Sequence, residues 1–164
     1  MRTPASIAGH PIHPMLVPIA IGGFASSFVA IVADIEVDTR TGKIRVKHLY
    51  AANDCGLVVN PNLVEQQMEG CLIQGVSRAI VEEVKFSKQR VTSLDWETYP
   101  ILRYKDAPEL TTILVNRPEF RSTGAGEPTT APVPAAIANA FFDATGVRIR
   151  EAPMTPARVR AVLR

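Results

Sequence analysis

The stretch GAGEP, residues 124–128, places a carboxylate, Glu127, between a glycine and a proline. A glycine-bearing loop between a strand and a helix often carries functional groups, because two rigid elements hold it and the helix start offers free N–H donors. A carboxylate enclosed by apolar groups has its pKa raised from about 4.3 toward neutrality and then serves as a general base. The alternative is a carboxylate that only interacts with the helix dipole, for less than about 1 kcal/mol. Spacing alone favours this second interpretation.

The two glycines of this loop, Gly124 and Gly126, allow the backbone to approach a ligand closely. The loop has neither the Lys-Ser/Thr pair of a phosphate-binding loop nor the third glycine of a dinucleotide-binding fingerprint. We therefore expect a ligand-contacting loop of another kind.

The elements before this loop begin with two strands. Residues 28–37 and 44–52 both alternate in polarity, and DTRTGK between them supplies turn residues, so the pattern predicts a β-hairpin. Apolar residues then recur at helical spacing through residues 63–84, the longest predicted helix. Gly70 and Gly75 each cost that helix about 1 kcal/mol relative to alanine, which predicts close approach by a neighbouring backbone or a ligand.

The remaining elements alternate between strands and helices. Residues 110–116 are typical of a buried strand, 135–146 of a helix closed by a glycine, 147–150 of a short strand, and 157–164 of a helix capped by Thr155. This order predicts a mixed α/β (α+β) fold in a single domain, which suits a chain of 164 residues.

Composition excludes several functional classes. The net charge of +2 is spread along the chain without a block of lysine and arginine, so we expect no nucleic-acid partner. Cys55 and Cys71 are too few for a structural zinc site, and Pro11 and Pro14 prevent the helix that would align His10 with His13, so we expect no metal bound by protein side chains. Residues 15–33 carry no charge, but proline, glycine and serine interrupt them, so a membrane span is not favoured.

Three segments in order, residues 29–83, 99–110 and 124–159, carry a family resemblance. Their blocks DCG…NP, QMEG…QG and GAGEP…AIANA resemble the C-terminal part of the molybdopterin-binding large subunit of molybdenum hydroxylases, the xanthine dehydrogenase and aldehyde oxidase family. The resemblance extends over residues 24–163. It implies a fold like the C-terminal molybdenum-cofactor-binding domain of those enzymes.

The resemblance also implies chemistry. Members of this family oxidise aldehydes or hydroxylate N-heterocycles with oxygen from water, using molybdopterin, and the glutamate of the GxGEP block is their general base. Glu127 matches that glutamate, and Gln67 in QMEG matches a glutamine that contacts the pterin. Gln74, one heptad after Gln67 on the same helix face, is expected near the same region. We expect Gly124 and Gly126 to contact the cofactor as well.

The family pattern is incomplete in this chain. The large subunit is several times longer, so the resemblance implies a truncated domain, residues 24–164, that has little activity alone. Iron–sulfur clusters are expected only on a partner subunit, and a flavin subunit is expected as a further partner. The expected location of the protein is the cytoplasm. Residues 1–22 resemble the start of an unrelated family of small bacterial membrane proteins, which makes residues 1–23 a separate segment. The alternatives are a noncatalytic binding or assembly module and a membrane-anchored fusion protein.

Overall fold

The computed structural model describes residues 6–7, 10–11 and 28–164. The segment predicted to be unrelated, residues 1–23, lies almost wholly outside the described residues, as does most of the uncharged window 15–33. The strands and helices of the described residues are β1 (Ser6–Ile7), β2 (His10–Pro11), β3 (Phe28–Asp38), β4 (Lys43–Asp54), α1 (Pro61–Ile80), β5 (Glu109–Val115), α2 (Val133–Thr145) and α3 (Pro156–Val162). A 3₁₀ turn, Tyr104–Asp106, precedes β5. None of the described helices is long and apolar enough to cross a bilayer.

Strands β3 and β4 form the predicted hairpin, which is confirmed. They pair antiparallel from Phe28 opposite Asp54 to Asp38 opposite Lys43. Alternating polarity gives the hairpin one face that packs on the core and one that is more exposed. The turn closes because Asp38 Oδ1 accepts the backbone N–H groups of Arg40 at 2.9 Å and Thr41 at 3.1 Å. The sheet order is β3-β4-β5.

Strand β5 lies at the edge of this sheet and runs parallel to β4. The connection between them contains α1, as a parallel crossover requires. Residues of β5 alternate between exposed and half-buried. The predicted strand is therefore present, but the prediction that it is buried is wrong. An apolar run does not reveal that, among the described residues, the strand pairs only with β4 and is covered on one face.

The hydrophobic core lies between the sheet and the helices α1 and α2. Alternate residues of β4, including Leu49 and Ala51, face this core, where they meet Leu72 of α1 and Phe141 of α2. Helix α2 packs on β3 and on α1. This two-layer arrangement confirms the mixed α/β fold class.

The two glycines of α1 have different surroundings. A Cβ on Gly75 would lie 2.7 Å from Cβ of Val133 at the start of α2, so the glycine permits the two helices to approach closely. A Cβ on Gly70 would meet no atom of the described residues within 4 Å. The prediction of close approach is confirmed for Gly75, whereas for Gly70, where a ligand was the other expected neighbour, it stays a prediction.

The C-terminal part follows its capping signals. Helix α2 ends at Gly146, whose φ of 74° is left-handed, and Thr155 caps α3 by accepting the backbone N–H of Arg158. Residues 147–150 form no strand. Ile149 is buried in the core, as the apolar and polar alternation of this segment indicates. The segment pairs with no strand of the described residues, so the prediction of a short strand here is wrong.

Candidate functional site

A groove of about 350 Å³ opens between the start of α1 and two loops, residues 55–60 and 122–126. Its walls are mainly apolar, with one amide side chain from α1 and peptide groups of both loops. The lining residues are Cys55, Leu57, Val59, Asn60, Leu63, Val64, Gln67, Ser122, Ala125 and Gly126.

The sequence NPN, residues 60–62, determines where α1 starts. Asn60 is extended, with φ −135° and ψ 96°, and its side-chain oxygen accepts the backbone N–H of Leu63 at 3.2 Å. Pro61 follows in the first turn, where its missing N–H costs nothing. This cap fixes the first turn of α1, and with it Leu63 and Gln67, along one wall of the groove.

Backbone hydrogen bonds join the first loop to the segment before the second. Leu57 N–H donates to the Phe120 carbonyl and Arg117 N–H to the Gly56 carbonyl, both at 3.0 Å. Thr123 donates both its N–H, at 3.0 Å, and its hydroxyl, at 3.2 Å, to the Cys55 carbonyl. The two loops therefore form one hydrogen-bonded unit beside α1.

An ion pair reinforces this unit. Asp54 accepts the Gly56 N–H and pairs with the Arg117 guanidinium, each at 3.0 Å. The Gly56 N–H, and after it Arg117, hold the pKa of the Asp54 carboxyl below its usual range, although partial burial opposes this. The guanidinium also lies 4.1 Å from the centre of the Phe120 ring.

Helix α1 contacts the second loop through the carbonyl of Gly126. Gln67 Nε2 donates a hydrogen bond to this oxygen, and Cys71 Sγ donates to it at 3.2 Å. Gln67 and Cys71 are four residues apart and so lie on one face of the helix. The structure thus brings together two predicted site residues, Gln67 and Gly126, that are 59 positions apart.

Glu127 follows Gly126 directly, and its side chain is exposed. Its carbonyl accepts the Thr130 N–H at 3.0 Å, which closes a turn. Helix α2 begins only at Val133, so Glu127 lies outside its first turn. Neither the apolar enclosure nor the dipole contact expected for this carboxylate is formed within the described residues.

The other predicted site residues are distributed as follows. Gly124 has a φ of 89°, and a Cβ on either loop glycine would meet nothing within 4 Å, so this side of the loop is open. Gln74 is exposed on α1, seven residues beyond Gln67, and does not line the groove. Within the described residues, no three acidic, histidine or cysteine side chains are grouped to hold a metal ion.

The sequence did not predict the contact that Cys71 makes with this loop. The thiol is buried, and it donates a hydrogen bond to the loop that carries Glu127. Its spacing of four residues from Gln67 places both side chains on one helix face, but spacing does not show that a loop crosses that face.

Comparison with protein families decides the identity of the fold. The family model described as "Molybdopterin cofactor-binding domain" matches residues 20–108 of this chain, which is more than half of it. The chain belongs to this molybdopterin-binding family. The resemblance to molybdenum hydroxylases is thereby confirmed, as is molybdopterin as the cofactor of the family.

Named relatives agree with this assignment. A nicotinate dehydrogenase subunit from Pseudomonas putida is 43% identical over 141 residues, 86% of this chain and 12% of the relative. The beta subunit of isoquinoline 1-oxidoreductase from Brevundimonas diminuta is 32% identical over 87% of this chain and 18% of the relative. Both names denote subunits of larger assemblies.

A solved structure shows the same fold. The aldehyde oxidoreductase from Desulfovibrio desulfuricans superposes with a TM-score of 0.76 and 26% identity, over 84% of this chain and 16% of that one. This chain therefore spans less than a fifth of the length of each of these three proteins.

Proposed function

We propose that this chain supplies the general base and one wall of the cofactor site of a molybdenum hydroxylase. The reaction would be the oxidation of an aldehyde or the hydroxylation of an N-heterocycle with oxygen from water. The observation that carries the proposal is the hydrogen bond from Gln67 to the Gly126 carbonyl, because it joins the amide expected to contact the pterin to the peptide next to Glu127.

The residues at the groove fit a pterin on chemical grounds. An amide offers two N–H donors and an acceptor, and Nε2 of Gln67 donates to the Gly126 carbonyl and to Cys71 Sγ, so its oxygen remains for a ligand. Gly124 and Gly126 leave free space where a side chain would stand. Apolar walls with a few polar groups are typical of cofactor sites. Gln67 and the loop glycines would hold the cofactor, with Gln74 farther along the same helix face.

The proton chemistry falls to Glu127. When bound, the cofactor supplies the oxidising centre. Glu127 would accept a proton on a carboxylate oxygen, and burial against the remaining walls of the site would raise its basicity. Those walls belong to the rest of a large subunit, because Glu127 is exposed and the groove is open in this chain. We therefore propose that the chain alone has little activity.

Partners follow from the same reasoning. Electrons leaving the cofactor require an acceptor, and we propose that an iron–sulfur subunit accepts them. We propose a flavin subunit as a further partner and the cytoplasm as the location of the assembly. The subunit designations of the two named relatives support assembly with other chains.

A noncatalytic binding or assembly module is the second candidate. The exposure of Glu127 favours it, because the described residues do not enclose this carboxylate in a site. The two candidates differ in whether a complete site forms around this residue when the rest of the large polypeptide is supplied.

The experiment is reconstitution. The nicotinate dehydrogenase relative is produced without the part that matches this chain and is then combined with it, and molybdenum, pterin and turnover of nicotinate and an aromatic aldehyde are measured. The enzyme proposal predicts bound cofactor and turnover, with Glu127→Gln lowering kcat by at least about 100-fold. Glu36→Gln, an exposed change on β3, is the matched control and should keep full turnover. A complex without molybdenum and pterin supports the module, and equal turnover of Glu127→Gln rejects the base.

A further inference from the structure

The carbonyl of Gly126 accepts two side-chain donors from one face of α1. Gln67 Nε2 and Cys71 Sγ both donate to it, and Nε2 also donates to Cys71 Sγ at 3.6 Å. Cys71 is 4% exposed whereas Gly126 is exposed at the groove, so the bond from the thiol joins the buried part of α1 to a surface loop. An acceptor with two lone pairs is thus satisfied entirely by one helix.

Fixing this oxygen fixes the position of the next residue. The peptide group is planar, so the Gly126 carbonyl and the Cα of Glu127 belong to one rigid unit. Two donors from different positions along α1 hold that unit against both translation and rotation. The place from which the Glu127 side chain extends is therefore set by a helix anchored in the core, rather than by the loop itself.

The surrounding loop needs such an anchor. Residues 122–127 form neither helix nor strand. Thr123 holds the beginning of this stretch to Cys55, and the turn from Glu127 to Thr130 closes the chain only on itself. Gly124 and Gly126 add backbone freedom between these points. The hydrogen bonds from Gln67 and Cys71 of α1 hold the Gly126 carbonyl, which directly precedes Glu127, and so limit the movement that the two glycines would otherwise allow.

We propose that Gln67 and Cys71 form a latch on the Gly126 carbonyl that positions Glu127, with Cys71 as a positioning residue. The catalytic meaning of the latch rests on the proposed function, whereas the latch itself is a property of this chain. Gln67 then has two tasks, since the amide that faces the cofactor side also holds the loop of the base.

Hydrogen exchange in the isolated 164-residue chain tests the latch. Gln67→Met keeps the bulk of the side chain and removes its donors, and we expect the hydrogen-bonded Thr123 and Thr130 amides, which flank Gly126 and Glu127, to exchange about three- to tenfold faster, as the loss of one neutral hydrogen bond implies. Gln74→Met is the matched control on the same helix face and should leave these rates unchanged. Unchanged rates in Gln67→Met would overturn the latch.

Cysteine variants separate the bond from simple packing. Cys71→Ala removes the donor and should accelerate exchange of the same two amides, whereas Cys71→Ser retains a donor and should restore most of the protection. The Leu72 and Val76 amides report whether α1 remains folded. Equal exchange in the serine and alanine variants, with α1 intact, would show that Cys71 only fills space and would reject its positioning role.

The reconstituted enzyme distinguishes failure of the latch from failure of the proposed function. If both hold, Cys71→Ala lowers kcat with little change in KM or in the pH profile, and Cys71→Ser recovers it. If Glu127→Gln retains turnover while the exchange results stand, the latch survives and the base assignment fails. If Glu127→Gln abolishes turnover while Gln67→Met leaves exchange unchanged, the base survives and the latch is rejected.

Discussion

The two sides of α1 are held to the rest of the molecule by different forces. One side buries Met68, Leu72 and Val76 against the sheet and α2 with no exposure at all. The other side exposes Gln67 and Gln74, and hydrogen bonds hold the loops beside it. Apolar packing is insensitive to pH, but tolerates little change in shape, whereas hydrogen-bonded loops tolerate substitution and respond to charge. The helix therefore joins a rigid core to an adaptable groove.

The largest expected effect is on the packed side. Leu72→Ala removes a fully buried side chain from the core and should lower the free energy of unfolding by about 2–5 kcal/mol. Gln74→Ala, two positions further on the exposed side, should change it by no more than about 0.5 kcal/mol. Urea denaturation measures both variants. Similar losses in the two would contradict the contrast between the sides.

The next effect tests the contact between α1 and α2. Gly75→Ala gains about 1 kcal/mol in helix propensity but overpacks against Val133, at a cost of about 1–3 kcal/mol. We expect a net loss of up to about 2 kcal/mol in the free energy of unfolding. The double variant Gly75→Ala/Val133→Ala should lose less than the sum of its single variants, and strict additivity would reject the close contact.

Local signals predicted much of this fold. The hairpin follows from two alternating segments and a turn sequence, and the helix ends follow from Asn60, Gly146 and Thr155. The parallel pairing of β5 with β4 did not follow, because it joins strands far apart in the chain. Nothing local distinguishes Gly75 from Gly70 either, since only the position of Val133 makes one of them necessary.

The candidate site was less accessible to sequence reasoning. Gln67 and Glu127 were found through a family resemblance, because their separation along the chain hides their proximity. The bond from Cys71 to Gly126 depends on where the loop crosses the helix, which no spacing rule specifies. The exposure of Glu127 depends on which residues pack around its loop, and residue type does not determine that.

A smaller effect is expected at the open glycine of α1. Gly70→Ala places a methyl group where nothing lies within 4 Å, so it should raise the free energy of unfolding by about 0.5–1 kcal/mol through helix propensity alone. Gly75→Ala is the control on the packed side, with the opposite sign. A thermal melt compares the two variants. A loss of stability in Gly70→Ala would mean that this side of the helix is as tightly packed as the other.

The smallest expected effect concerns pH, and it separates the two sides without a change of shape. The Gly56 N–H, and then Arg117, lower the folded-state pKa of Asp54 from its ordinary value of 3.8. Ionised Asp54 therefore stabilises the loops at pH values above 3.8, and this contribution is lost as the pH falls through the lower folded-state pKa. The Gly56 and Leu57 amides should lose exchange protection over that range, after correction for intrinsic rates, while the Leu72 amide does not.

Asp54→Asn identifies the titrating group. The amide oxygen of asparagine still accepts the Gly56 N–H but cannot be protonated in this range, so the loop amides should exchange with no pH-dependent loss of protection below pH 3.8. Arg117→Gln removes only the weaker cause and should leave part of the dependence, because the backbone N–H still favours the carboxylate. A pH dependence that persists in Asp54→Asn would assign the effect to another carboxyl group. Since the core side of α1 contributes no ionisable group to its packing, acid should loosen the groove before it loosens the core.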